Sequence, residues 1–205
     1  MNALETWFCG SGVWRWVTRK QLLPWILNGT ELGDHLLELG AGPGAATEEL
    51  RKRATQVTSL EYDYASAARL HARTNGANGN VIRGDAAALP FPEGTFSSAI
   101  AILMLHHMRS KELQDRAFAE ISRVLRPNGV FLAFEIPDGW WHRVEHIKST
   151  FVPLEPAQLN SRLRAAGFSH IDVNQKRGGI RIRALRAENQ YDRQSARVDA
   201  VRRRA

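Results

Sequence analysis

From Glu31 onward, short apolar runs of strand length alternate with helical patterns, and glycine or proline stands at most of the junctions. His35 to Leu39 is the first such run; it ends in Gly40-Ala41-Gly42-Pro43-Gly44, after which Ala45 to Arg53 carries good helix formers. Gln56 to Glu61 reads as a second strand and Tyr64 to Asn75 as an alanine-rich helix. Asn78-Gly79-Asn80 is a turn before a third strand, Val81 to Arg83. Pro90 and Pro92 break the chain ahead of Phe96 to Leu105, whose nearly continuous apolar character suits a central parallel strand covered on both faces. Helix Lys111 to Leu125 follows with Phe118, Ile121, Val124 and Leu125 as its buried stripe, and Pro127-Asn128-Gly129 ends it before strand Val130 to Ile136. A helix over Leu159 to Ala166 stops at Gly167. The last two strands, Ile171 to Gln175 and Ile180 to Leu185, flank Gly178-Gly179 as an antiparallel hairpin.

Strands separated by helices of this length predict an α/β fold: a doubly wound, mostly parallel sheet with helices on both faces. Such a sheet receives its ligand at the carboxyl ends of its strands. The loops after Leu39, Glu61, Arg83, Leu105 and Ile136 are therefore the expected site. A chain of 205 residues with 43% hydrophobic and 24% charged content has the material for one core, which excludes a wholly disordered or collagenous chain. Residues 31–187 form the expected α/β domain, 1–30 an N-terminal helical lid segment and 188–205 a basic, flexible tail.

Cys9 is the single cysteine, so neither an intramolecular disulfide nor a cysteine-rich zinc site is expected. No apolar run reaches membrane-spanning length, and Arg15, Arg19 and Lys20 follow the first apolar residues instead of preceding them as in a signal peptide. A cytoplasmic protein is the expectation. The net charge of +7 allows attraction to nucleic acid or anionic lipid but says nothing about chemistry.

The first loop carries the most chemical information. Gly40, Gly42 and Gly44 permit a tight turn and close approach of a ligand to backbone N–H groups. Glu61 stands 21 positions after Gly40 at the end of the next strand, where a carboxylate can accept bonds from both hydroxyls of a ribose. A dinucleotide site would use G-x-G-x-x-G, whereas here the third glycine comes one position early. Glu38 would also place negative charge beside a pyrophosphate. That charge suits a ligand carrying an ammonium and a sulfonium. Asp85, in Gly84-Asp85-Ala86, is placed to receive an adenine amino group or to serve as a turn residue. Together the three carboxylates point to a positively charged adenosyl ligand without phosphates.

These residues resemble the class I S-adenosylmethionine-dependent methyltransferases, in the group similar to the ubiquinone and menaquinone methyltransferases. The matching motifs are Leu36-Leu37-Glu38-Leu39-Gly40-Ala41-Gly42-Pro43-Gly44, Leu60-Glu61-Tyr62-Asp63, Arg83-Gly84-Asp85-Ala86-Ala87-Ala88-Leu89-Pro90-Phe91, Leu103-Met104-Leu105-His106-His107-Met108 and Arg123-Val124-Leu125-Arg126-Pro127-Asn128-Gly129-Val130-Phe131. The resemblance implies seven strands with an antiparallel last strand and S-adenosylmethionine as cofactor. It implies that Glu38, Gly40, Ala41, Gly42 and Gly44 hold the methionine part, Glu61 the ribose and Tyr62 the adenine face. It further implies that Asp85 and Ala86 bind the adenine edge and that Leu103 lines the pocket.

The acceptor is less legible. Trp7, Trp14, Trp16, Trp25, Trp140 and Trp141 all fall outside the alternating core, where their rings either cover the pocket mouth and bind an apolar or aromatic acceptor or dock for stability. His106 and His107 are the candidate catalytic or orienting residues, since a neutral histidine suits an acceptor that must lose a proton; the pair also belongs to the family's structural motif. His142 and His146, four apart near Glu145, do not make a convincing metal site, and no metal is expected. Leu105 to Met108 departs from the Asn-Pro-Pro-Tyr type of sequence used by related enzymes that methylate bases, which argues against nucleic acid and leaves a small molecule ahead. Trp14 and Trp16 beside Arg15, Arg19 and Lys20 keep a phospholipid amine acceptor and peripheral lipid contact open. A noncatalytic adenosyl-binding or partner protein and a nicotinamide dehydrogenase are the competing classes; oligomeric state is not legible.

Overall fold

The computed structural model describes residues 11–74, 79–139, 150–176 and 178–188. Seven strands form one sheet in the order β3-β2-β1-β4-β5-β7-β6: β1 (His35–Leu39), β2 (Gln56–Glu61), β3 (Gly79–Arg83), β4 (Phe96–Ile102), β5 (Leu125–Glu135), β6 (Phe168–Lys176) and β7 (Gly179–Arg186). The first five pair in parallel. β7 runs antiparallel to β5 and β6 antiparallel to β7, as a hairpin at the edge. The order reverses between β1 and β4, so the carboxyl ends of β1, β2 and β4 converge where a doubly wound sheet takes its ligand.

Alternation along each strand divides the core in two. On one face Leu37, Leu39, Ala99, Ala101, Phe131 and Ala133 pack with Phe118 and Ile121 of α5 (Lys111–Val124) and with Leu159 and Leu163 of α6 (Pro156–Ala165). On the other, Leu36, Ile100, Val130 and Leu132 meet the N-terminal helices and Leu50 of α3 (Thr47–Leu50). The N-terminal helices are α1 (Gly12–Val17) and α2 (Leu23–Leu27), joined by a π-helical stretch over Thr18–Leu22. Ser11 caps α1 by accepting from the Trp14 N–H, and Asn28 closes α2 in the left-handed conformation. The last helix, α4 (Tyr64–Thr74), lies beside β2 and β3.

Several boundaries differ from expectation. The helix expected over Ala45 to Arg53 is reduced to the single turn α3, and α6 begins at Pro156, whose fixed φ suits a first helical position. The apolar run Phe96 to Leu105 does not remain a strand throughout: β4 stops at Ile102, Leu103 turns to φ +53°, and Leu105–His107 form a 3₁₀ turn. Helix α5 ends at Val124, and Leu125 already pairs with Phe96 in β5. Pairing then jumps to Ser98 with Val130, so the segment around Asn128, at φ +61°, is a bulge within the strand pairing. The two hairpin strands are longer than expected by a few residues at their ends. Trp7, Trp140, Trp141, His142, Glu145, His146, Cys9 and the tail beyond 188 lie outside the described residues.

Candidate functional site

The glycine loop starts directly from β1 and is held against β2. The N–H groups of Gly40 and Ala41 both donate to the Leu60 carbonyl, at 2.9 and 3.3 Å. Gly40 sits at φ +65°, and a Cβ there would come within 2.5 Å of Cβ of Met104, so the turn packs against the segment after β4 with no room for a side chain. Gly42, at φ +52°, has nothing within 4 Å of the position its Cβ would take, which leaves an open cradle above the loop. Its N–H donates to Oε2 of Glu61 at 2.7 Å, while Oε1 of Glu61 accepts from the Asp63 N–H at 2.8 Å. The loop after β1 and the end of β2 are thereby tied by one carboxylate. Each carboxylate oxygen has two acceptor directions, so both keep capacity for a ribose hydroxyl.

Glu38 lies beneath this loop, with only 4% of its surface exposed. Its Oε2 accepts from the hydroxyls of Thr47, at 2.8 Å, and Ser59, at 2.7 Å. Burial pushes its carboxyl above the ordinary range, the two hydroxyl bonds act against that, and the Glu61 charge adds to the rise. A second acid at the end of the adjacent strand is therefore a cost to the protein without a cation between them. An ammonium or sulfonium relieves that cost and a diphosphate adds to it, so these residues fit S-adenosylmethionine and misfit a dinucleotide.

At the end of β3, Asp85 closes a small turn: its Oδ1 accepts from the Ala87 N–H at 2.8 Å, and its carbonyl from the Ala88 N–H at 3.1 Å. Asp85 itself is exposed, and Ala86 beside it is buried. The turn role foreseen for Asp85 is present, and its second carboxylate oxygen is the one left for an adenine amino group. Tyr62 is 66% exposed, as a ring that a flat base would cover must be. The Gly84 N–H donates to the Glu61 carbonyl, which brings the third loop against the second. Gly40, Ala41, Gly42, Glu61 and Tyr62 thus share one rim, with Glu38 beneath it and Asp85 and Ala86 on its neighbouring edge. Gly44 is at the foot of the loop, packed toward Leu70 of α4.

The other wall follows β4 and depends on Glu135, a residue the sequence reading passed over. Glu135 is fully buried at the end of β5. Its Oε1 accepts from the N–H groups of Met104, at 3.0 Å, and Leu105, at 2.8 Å, and its Oε2 lies 2.5 Å from Nδ1 of His106. The Leu103 N–H donates to the Phe134 carbonyl. One carboxylate therefore sets the turn that presents Leu103 and Met104 to the glycine loop. An acid closing an otherwise apolar strand was the available signal.

His106 and His107 occupy the 3₁₀ turn with ring centroids 4.2 Å apart. His106 is 2% exposed, its ring enclosed by Glu135, His107 and Phe151. This setting supports an orienting role for it. His107 is half-buried, and its Nδ1 donates to the Thr150 carbonyl at 3.2 Å. Gln114 of α5 completes the support by donating to the carbonyls of Leu105 and Val152. Among the tryptophans, Trp14 and Trp25 pack against the sheet, Trp25 edge-on to Phe134 at 5.6 Å, whereas Trp16 is exposed.

Residues 37–133 match a family model described as a methyltransferase domain. A probable S-adenosylmethionine-dependent methyltransferase of Mycolicibacterium smegmatis is 29% identical over 166 residues, 77% of this chain and 61% of that protein. A demethylmenaquinone methyltransferase of Thermus thermophilus is 31% identical over 106 residues, 50% of this chain and 47% of that protein. The chain thus spans about half the length of these curated relatives. In fold it resembles a Pyrococcus horikoshii protein of known structure, with a TM-score of 0.74 at 15% identity over 87% of this chain and 94% of that one. Four of the five matching motifs meet at the carboxyl ends of β1 to β4, while the fifth, Arg123 to Phe131, opens β5 at the opposite end of the sheet; the chain carries a methyltransferase domain over residues 37–133 and resembles the class I S-adenosylmethionine-dependent methyltransferases.

Proposed function

We propose that the protein transfers a methyl group from S-adenosylmethionine to a small apolar or aromatic molecule. The observation that carries the reading is the pair Glu38 and Glu61, one buried beneath the glycine loop and the other bonded to it. When bound, the cofactor supplies an activated methyl on a sulfonium. Glu61 would accept from the ribose hydroxyls, Asp85 from the adenine amine, and Tyr62 would cover the base. Glu38 would hold the ammonium end by charge, directly or through the hydroxyls it already engages. Met104 and Leu103, fixed by Glu135, would close the side facing the acceptor and shelter the transfer from water. His107, less enclosed than His106, is the better placed of the two to take a proton from an attacking oxygen or nitrogen.

The small-molecule assignment rests on Leu105-His106-His107-Met108, which has neither the asparagine amide nor the tyrosine ring that the Asn-Pro-Pro-Tyr pattern uses to hold a flipped base. The Thermus relative, named for a demethylated menaquinone, also favours an apolar acceptor. A phospholipid amine is the second acceptor class, favoured by exposed Trp16 beside Arg15, Arg19 and Lys20. Isothermal titration of ligand-free protein with S-adenosylmethionine and S-adenosylhomocysteine tests the core of this reading, with NAD as control. Saturable binding of both adenosyl ligands, no NAD response, and about tenfold to hundredfold weaker binding by Glu61→Ala are expected, the loss of charged hydrogen bonds setting that scale. Folded protein that ignores the adenosyl ligands would remove the assignment. Binding without turnover on quinone-like, phenolic and lipid amine acceptors would favour a partner protein instead.

A further inference from the structure

The N-terminal helical segment has two unlike faces. Trp14, Thr18, Leu22 and Ile26, spaced by four, turn toward the sheet; Thr18 and Ile26 are each 1% exposed, and Trp14 packs on the second core cluster. Val13 and Trp16 point away, at 68% and 52% exposed. Three residues apart, they are neighbours on one helical face. Arg15, Arg19 and Lys20 are exposed around them. No aspartate or glutamate occurs between Glu5 and Glu31, so nothing in this stretch of sequence offsets the three charges.

Of the large apolar side chains exposed among the described residues, Tyr62 belongs to the proposed site and Tyr64 lies under the Arg83 guanidinium, 5.8 Å from its ring. Val13 and Trp16 have no such use. An indole with its ring in water and cationic side chains on either side is the composition that settles at a lipid headgroup layer, where the ring meets the acyl boundary and the charges meet phosphates. Nucleic acid would use the charges but gives an aliphatic Val13 no partner. None of the helices in the described residues is long and apolar enough to cross a membrane, so the contact would be to its surface.

We propose that this face docks the protein on an anionic phospholipid surface, with Val13 and Trp16 at headgroup level and Arg15, Arg19 and Lys20 against the lipid phosphates. The proposal goes beyond the methyl-transfer reading and holds for any acceptor. Flotation of the full chain with vesicles of phosphatidylcholine, alone or mixed with phosphatidylglycerol, tests it. Binding to the mixed vesicles only, weakening as salt is raised, is expected. Trp16→Ala, or Val13→Asn as a second apolar probe, should lower partitioning several-fold, and Arg15→Glu/Arg19→Glu/Lys20→Glu by about tenfold or more. Arg202→Glu/Arg203→Glu/Arg204→Glu should leave it within about twofold, since the proposed lipid contact is made by residues 13–20 alone. Unchanged binding of S-adenosylhomocysteine by each variant certifies its fold. No binding to the mixed vesicles overturns the proposal. So does binding lost only with the tail arginines, or binding indifferent to both Trp16→Ala and Val13→Asn. Tighter association with homopolymeric RNA than with vesicles, abolished by the same triple charge reversal, would give the face to nucleic acid.

Discussion

Glu38 is a residue on which stability and binding pull in opposite directions. Its carboxyl is raised by burial above the ordinary value of 4.5. The folded protein therefore keeps the proton to higher pH than the unfolded chain does, and stability falls as pH rises from about that value through the folded one. Glu38→Gln keeps an acceptor for Thr47 and Ser59 while removing the charge. We expect it to unfold at higher temperature than the parent near neutral pH, with the difference vanishing toward acid, and to bind S-adenosylmethionine more weakly; thermal melts across pH beside titrations check both. Glu135 behaves differently, because its partners are fixed. Glu135→Leu would strand the buried N–H groups of Met104 and Leu105 and cost about 3 kcal/mol, whereas Glu135→Gln should recover most of that loss by keeping one acceptor oxygen. Urea unfolding of the two variants measures the split. The contrast also explains what could be read beforehand. Glu38, Glu61 and Asp85 stand at fixed offsets from strand ends, so local spacing locates them. Glu135 acts on a loop about thirty residues earlier, through a contact that no local pattern encodes.

At the scale of elements, alternation of apolar runs with helical patterns located every strand, because each side of the sheet needs its own row of side chains. The exceptions have physical causes. The run Phe96 to Leu105 is apolar but for Ser97 and Ser98, yet it leaves the strand after Ile102, with Leu105 buried from a turn, and at Leu103, φ +53°, no glycine or asparagine announces the change. In the expected lid segment, Leu22, Leu23, Ile26 and Leu27 are all buried in the cluster that includes Leu36 and Leu132. A helical pattern before the first strand looks the same whether it closes a pocket or roofs a sheet. A roof makes a definite prediction. Ile26→Ala should cost about 3 kcal/mol in denaturant unfolding, with S-adenosylhomocysteine affinity little changed under native conditions; a lid would show the reverse, near-normal stability and weakened affinity.

The two clusters lie on opposite faces of one sheet whose strands alternate between them, so neither face can be lost without exposing the back of the other. Leu36 and Leu37, adjacent in β1, belong to different clusters, as do Ile100 and Ala101 in β4 and Phe131 and Leu132 in β5. The edge hairpin joins the same unit, since Ile180 and Ile182 of β7 complete the first cluster while Leu185 packs against the second. A sheet so divided should unfold in one step. The placement of the indoles makes the point measurable. Trp14 and Trp25, on the N-terminal helices, pack on the second cluster, so with Trp7, Trp16, Trp140 and Trp141 replaced by Phe the fluorescence reports that face, whereas far-ultraviolet circular dichroism reports all the helices and strands together. Fluorescence and dichroism should therefore give one coincident denaturant midpoint, and a saturating adenosyl ligand should move both by the same amount. A fluorescence transition that came first would mean that the N-terminal helices leave the sheet while the other face stays folded, and that the segment is a docked accessory and not a layer of the domain.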